Sequence, residues 1–326
     1  MKRFTLIAAL LAGSFCFLTN AAFAQSAPAA GDKPIKILVG FPPGGSADVI
    51  ARLMAERMQS ALGQNVIVEN RAGASGRIAI DALKASAPDG NSLIIMPSGP
   101  VVIFPHVFKK LSYDPVKDLT PISQLASFQF AVVSGPKTNV KTIAEMVAKS
   151  KSDSSGNSYG SSGNGTVPHF LGVMLGDAAK IDFQHVPFQG GAPAMNALLG
   201  GHIGYNMDVV SEALENHKAG KARVIAVTGM QRASQMPEVP TLREQGIPMD
   251  ASAWFAMYGP ANMPPAVLAK LNQTVVAALK DAVFRKKISD MGFEPIGSTP
   301  EQLAAVQRAD LAKWEKPVKA SGFQAD

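Results

Sequence analysis

A short apolar run, a turn rich in glycine or proline, and then apolar residues three and four apart form a unit that recurs along the chain. That pattern predicts alternating strands and helices. Its first instance is Ile35 to Gly63. Ile35, Ile37, Leu38 and Val39 read as a strand, and Pro42-Pro43-Gly44-Gly45 as a tight turn. Val49, Ile50, Leu53, Met54, Met58, Ala61 and Leu62 then fall on one helix face. Ser46 is the expected N-cap and Gly63 the expected stop. Gly44 and Gly45 allow positive φ and close approach of a ligand to the backbone. Such a loop aims unpaired N–H groups and the positive end of a helix dipole at whatever sits above it, which suits an anion. The alternative is a connection that binds nothing.

The pattern continues with a strand at Asn65 to Asn70, a glycine-rich loop (RAGASGR), a helix from Ile78 to Ser86 and a strand from Ser92 to Met96. This βαβαβ order predicts a parallel sheet with ligands beyond the carboxyl ends of its strands, where the Pro42–Ser46 and Pro97–Pro100 loops lie. Phe128 to Ser134 is the next strand, and Thr142 to Glu145 has the capping-box pattern of a helix start. Ser150 to Gly165 is dominated by Ser, Gly and Asn and reads as linker or binding loop. It feeds a helix with Thr166 as expected N-cap and Pro168 in the first turn, so a glycine-rich loop meets a helix start a second time.

A strand (Phe183 to Phe188), a Gly190-Gly191 loop, a helix to Leu199, a strand around Ile203 to Met207, a helix ended by Gly220 and a strand from Arg223 to Thr228 follow. Ala253 to Tyr258 can cross back to the first part of the chain. Helices start at Pro264-Pro265 and at Thr299-Pro300-Glu301, with Pro317 expected to kink or end the last one. About 300 residues exceed what one core usually holds. The expectation is an α/β protein of two lobes, residues 25–127 plus 254–326 in one and 128–253 in the other.

Composition adds the address. Lys2 and Arg3 precede an apolar run from Phe4 to Leu18 and an Ala22-Phe23-Ala24 site, the form of a secretory signal peptide (residues 1–24) cleaved after Ala24. The run is too short for a membrane span, and no later run reaches the ~20 apolar residues one needs. The single cysteine, Cys16, falls in the segment to be removed, and Phe15 stands where a lipidation signal wants a small residue. The mature chain then has no disulfide, and the periplasm is the expected destination. Net charge is +6 for the whole chain, of which Lys2 and Arg3 leave with the signal. The remaining positive charges are dispersed, and Arg285-Lys286-Lys287 reads as a solvated helix face. No arginine-rich or aromatic-interleaved stretch of the kind that tracks nucleic acid is present.

Catalytic and metal chemistry find little support. Gly156-Asn157-Ser158-Tyr159-Gly160 matches G-x-S-x-G, the pattern of a serine hydrolase using Ser158. That motif requires a buried strand before it and a helix directly after, and neither is predicted. His106, His169, His185, His202 and His217 have no metal-ligand spacing, and neither a P-loop nor a dinucleotide fingerprint occurs, so no metal and no cofactor are expected. His169 could face a ligand or bond the loop. Asp48 falls in a first helical turn, where interaction with free N–H groups is the plain role. Asp208 follows a strand and could cap the next helix; either aspartate could also hold a water or a ligand amine. With two loop-to-helix anion sites and no Lys or Arg close to their glycines, a carboxylate held by about four or five charge-assisted backbone bonds of roughly 1.5 to 3 kcal/mol each would reach micromolar affinity.

FPPGGSADVIAR, VIVENRAGASG, APDGNSLIIM, YDPVKDLTPIS, YGSSGNGTVPHF, HVPFQGGAPAMNALLGGHI, AGKARVIAVT, PEVPTLREQGIP and STPEQ occur in that order. They resemble the successive signatures of the Bug/TctC-type substrate-binding proteins of tripartite tricarboxylate transporters, over nearly all of the mature chain. The resemblance implies a periplasmic binding protein fold of type II, two α/β lobes closing on a small carboxylated molecule, and no enzymatic activity. It implies backbone and water-mediated contacts from Phe41, Pro43, Gly44, Gly45, Ser46, Ala47 and Asp48 in one lobe. Ser161, Ser162, Gly163, Asn164, Gly165 and Thr166, with His169 behind them, are their counterparts in the other. Further contacts are implied at Ser98, Gly99, Phe188, Gly190, Gly191 and Asp208. Ala47, Phe188 and Gln189 stand where threonine, tyrosine and a basic residue are common, which points to a less polar distal pocket suited to an aromatic or longer aliphatic acid. The implied partners are the organic acid and a two-subunit membrane permease, with the chain a monomer and no nucleic acid involved; a signalling partner or an adhesive surface role are the other readings.

Overall fold

The computed structural model describes residues 33–325; the expected signal peptide, its cleavage site and Cys16 lie outside them. β1 (Ile35–Val39), α1 (Ser46–Leu62), β2 (Val66–Asn70), α2 (Arg77–Lys84) and β3 (Ser92–Pro97) form the expected parallel unit, β1 pairing with both β2 and β3. α1 buries Ile50, Met54 and Met58 of the predicted face together with Ala51 and Ala55, and leaves Ala61 and Arg52 exposed, so the buried stripe lies slightly to one side of the one the apolar spacing predicts. Gly63 ends it in the left-handed region at φ 63°. The expected loop after β3 instead winds into two single-turn helices, α3 (Gly99–Val102) and α4 (Phe104–Val107), because the Ser98 carbonyl accepts from Val101 and Val102 N–H at 3.0 Å each.

β4 (Leu119–Ser134) runs sixteen residues, more than twice the expected strand. Its first part pairs antiparallel with β9 (Ser252–Pro260), through register shifts at Pro121/Ser123 and Gln124/Ala126. Those bulges break the period-two pattern, which is why the sequence shows only the second part as a strand. That second part, Phe130 to Ser134, pairs antiparallel with β7 (Tyr205–Val209) and β8 (Arg223–Val227). One strand thus belongs to two sheets: β2-β1-β3-β9-β4 on one side and β4-β7-β5-β6 on the other, with β5 (Ser158–Ser161) and β6 (Gln184–Pro187) parallel.

α5 (Ile143–Ser152), α6 (Val167–Ala179), α7 (Gly191–Leu199) and α8 (Val210–Lys218) cover the second sheet. α9 (Pro265–Lys280), α10 (Ala282–Asp290), the two-residue β10 (Glu294–Pro295) and α11 (Pro300–Ala320) return to the first, where β10 pairs with β4. Two expectations are corrected here. Of the readings linker or binding loop for Ser150–Gly165, linker is excluded: the stretch closes α5 and then supplies β5, with Tyr159 fully buried, before the loop at 162–165. Pro317 does not end α11, which runs on to Ala320, since Trp314 and Val318 on either side of it are buried at 3% and 1% exposure and packing holds the last turn.

Candidate functional site

Three loop-to-helix junctions converge where the two halves meet. At the first, Asp48 organises the turn: its carboxylate accepts from Gly44 N–H at 2.9 Å, from Asn70 Nδ2 at 2.9 Å and from Arg52 through two bonds of 2.9 Å each. Burial opposes ionisation of this carboxyl, but the donors from Arg52, Gly44 and Asn70 outweigh it and hold its pKa below the usual aspartate value. Asn70 also bonds the Phe41 carbonyl at 3.1 Å, tying the turn to β2. Pro43 and Gly44 stand exposed, Ala47 is part of the core, and only Gly44 of the glycine pair has positive φ, at 85° against −79° for Gly45. Gly45, not Ser46, is the N-cap. The Ser46 hydroxyl is drawn away, donating at 2.9 Å to Glu212 on α8. The first bond of the α1 ladder is Val49 N–H to Gly45 O, so the N–H groups of Ser46, Ala47 and Asp48 lie ahead of it.

The second junction joins β5 to α6 and is built from neutral groups. Ser161 Oγ lies 2.6 Å from His185 Nε2 and bonds both the N–H and the carbonyl of Gly163. Thr166 precedes α6 as expected, but its hydroxyl donates to the Gly163 carbonyl at 2.7 Å and does not cap the helix. His169 Nδ1 accepts from Gly165 N–H at 3.2 Å, and its ring stacks on His185 at 4.0 Å. Burial lowers the pKa of His169 to about 4; burial and the neighbouring His169 lower that of His185 to about 3, so both rings are neutral. Gly163 and Gly165 have φ of 145° and 74°, Ser162 is half-buried and Asn164 is exposed. A Cβ added at Gly163 would come within 3.6 Å of Ser75 Oγ, on the first half.

At the third junction Gly190 (φ 121°) and Gly191 start α7, and Phe188 donates its N–H to the Ser161 carbonyl at 3.0 Å. Asp208 does not cap α8: it lies inside β7 at 2% exposure, with Oδ1 accepting from Val209 N–H and Oδ2 from Asn206 Nδ2. Burial, reinforced by the adjacent Glu212, raises its pKa well above the usual value. Ser98 and Gly99 are buried at the start of a single-turn helix. Ser158 opens β5 and its Oγ accepts from Gly204 N–H at 3.3 Å, with α6 beginning only at Val167. Glu212 and Asn206 escaped the sequence reading. For Asn206 the strand period was the available signal, since a residue two before Asp208 shares its face of β7; Glu212, in the first turn of α8, had none.

A family model for the tripartite tricarboxylate transporter family receptor (TctC) matches residues 50–323. Protein BugT of Bordetella pertussis is 31% identical over 319 residues, spanning 96% of this chain and 97% of that protein. Among solved structures, R. palustris Rpa4515 with adipate superposes with a TM-score of 0.85 at 28% identity, covering 89% of this chain and 98% of that one. MatC from Rhodopseudomonas palustris with bound malate gives 0.81 at 30% identity, covering 87% and 98%. The two-lobed α/β fold is that of these binding proteins. The chain therefore belongs to the tripartite tricarboxylate transporter receptor family, as a solute-binding protein and not an enzyme.

Proposed function

We propose that this protein captures a small carboxylate between its halves and hands it to a two-subunit membrane permease of the tripartite tricarboxylate type. The observation that carries the proposal is the pair of junctions at α1 and α6. Each presents leading backbone N–H groups at a helix start, and Arg52, the cation beside the first, is engaged by Asp48. A carboxylate placed there receives several charge-assisted bonds without needing an arginine. Relatives seen with adipate and malate support the same chemistry. Among the described residues the lobes are 33–127 plus 254–325 and 128–253, joined through β4 and β9, and ligand shifts the population toward the closed form by binding it better. Among the described residues no helix is long and apolar enough to cross a membrane. Export by a signal peptide removed after Ala24 places the mature protein in the periplasm.

Thermal-shift screening against mono-, di- and tricarboxylates is the test. Stabilisation by at least one carboxylate, together with a smaller radius of gyration in solution scattering, is expected. Stabilisation by sugars or simple cations alone would refute the reading.

A further inference from the structure

After α11 a short tail turns back and is fixed to both halves, although chain ends ordinarily fray unless tied down. Ser321 Oγ donates to the Val318 carbonyl at 2.6 Å and accepts from Phe323 N–H at 3.1 Å, and Gly322 turns the chain at φ 66°. Ala325 then lies beside α4 on the first half. Its N–H donates to the Val107 carbonyl at 2.9 Å, and its carbonyl accepts from Lys109 N–H at 3.2 Å. Between these two anchors the Phe323 ring crosses to the second half. Its centroid is 4.6 Å from that of His169, the rings meeting at 86°, and 6.1 Å from that of Phe170. Phe104 and Val107 of α4 extend the same wall. A Cβ added at Gly165 would lie 3.4 Å from Val107 Cγ1, 3.9 Å from Phe104 and 4.0 Å from Phe323.

We propose that this C-terminal tail is a strap and Phe323 a positioning residue, through which the first half sets the shape of the β5–α6 loop on the second; that this loop holds an anion rests on the carboxylate reading above. The loop needs a template, because Gly163 and Gly165 have no side chains to restrict their backbone. His169 is that template. Its Nδ1 accepts from Gly165 N–H, a bond that forms in one orientation of the ring only. His185, from the same half, stacks on one face of the ring, and Phe323, from the other half, meets it edge to face. His185 cannot sense where the first half stands. Phe323 can, because the backbone on both sides of it is bonded to α11 and α4. The loop is therefore ordered by the approach of the two halves, and an arriving carboxylate does not have to supply that ordering from its own binding energy.

Hydrogen exchange of the ligand-free mature protein, resolved by segment, compares the wild type with Phe323→Ala and with Phe323→Leu, which keeps an apolar wedge. In Phe323→Ala residues 161–170 are expected to exchange about tenfold faster while residues 41–48 are unchanged, and Phe323→Leu should restore most of the protection. Calorimetric titration with adipate, with malate and with each acid that stabilises the wild type reads the consequence: affinity about fivefold weaker in Phe323→Ala and recovered in Phe323→Leu. Unchanged exchange at 161–170, or equal acceleration at 41–48, overturns the strap. Faster loop exchange with wild-type affinity overturns the positioning role. Absence of carboxylate binding by the wild type, with the loop still loosened by Phe323→Ala, overturns the carboxylate reading and leaves the strap's hold on the loop standing.

Discussion

The two halves build their ligand-facing loops by opposite electrostatics. The β1–α1 turn is held by a full charge, Asp48, saturated by Arg52, Asn70 and a backbone N–H. The β5–α6 loop is held by neutral imidazoles and hydroxyls, and the nearby Asp208 is buried without a cation. A charged anchor suits a loop whose ring of donors can be completed locally, four residues along one helix and across to β2. Neutral anchors suit the second half, whose loop closes through short hydrogen bonds between Ser161, Gly163, Thr166 and the two imidazoles and needs no counter-ion. Acid should therefore loosen the second loop first, and removal of charge the first.

The largest effect is expected from pH. A buried histidine whose folded pKa lies below its unfolded value of about 6.5 contributes stability that is present above that value and is lost as pH falls toward the folded value. With His169 at about 4 and His185 at about 3, acidification from pH 7 to pH 5 should cost roughly 4 kcal/mol in total. Asp48 works in a lower window, its contribution surviving until the pH drops below the ordinary carboxylate range. Denaturant titrations across this range, with hydrogen exchange resolved by segment, should show residues 161–169 losing protection before residues 41–48. Simultaneous loss, or no loss of stability by pH 5, would break the contrast between the halves.

The aspartates provide the next test. Asp48→Asn leaves Arg52 and the turn without their anion and should destabilise by roughly 2 to 3 kcal/mol. Asp208→Asn removes a charge that burial already disfavours and should be neutral or stabilising by about 1 kcal/mol at pH 7. The advantage of Asp208→Asn should shrink on acidification, because a group with raised folded pKa regains its contribution below the unfolded value. Equal destabilisation by both variants would mean that Asp208 has a partner comparable to Arg52. A smaller effect belongs to one of the bonds that join the halves, Ser46 to Glu212. Ser46→Ala removes the hydroxyl that reaches Glu212 and should cost about 1 kcal/mol, with a larger radius of gyration for the ligand-free protein in scattering. An unchanged radius would show that the halves are held without it.

Much of this was legible in the sequence, and the rest was hidden for identifiable reasons. The β1–β3 unit could be read because its apolar spacing is local and its turns carry Gly and Pro. β4 was half missed because Pro121 and the bulges around it interrupt the alternation, and only the long-range partner β9 makes the segment a strand. β5 was missed because small residues dominate it, and its pairing with β6 and β7 is likewise non-local. At the site, the loops announced themselves through glycine, whereas Glu212 looks like any first-turn acid on a helix. What distinguishes it is Ser46, 166 residues earlier, and no local pattern carries that.

The smallest stability effect should be the most informative about the loop itself. Gly45 has φ −79°, and a Cβ there would find nothing nearer than the Pro42 carbonyl at 3.8 Å, so the fold has room for alanine. Gly44 has φ 85° with open space around it, so alanine there meets backbone strain and no clash. Gly44→Ala should accordingly destabilise by about 1 kcal/mol and Gly45→Ala by less than about 0.5 kcal/mol. If the ligand carboxylate sits against the start of α1, the new methyl group of Gly45→Ala occupies its approach, and affinity should fall tenfold or more in a protein of unchanged melting temperature. Full affinity in Gly45→Ala would place the carboxylate elsewhere and leave the α6 loop as the main anion hold.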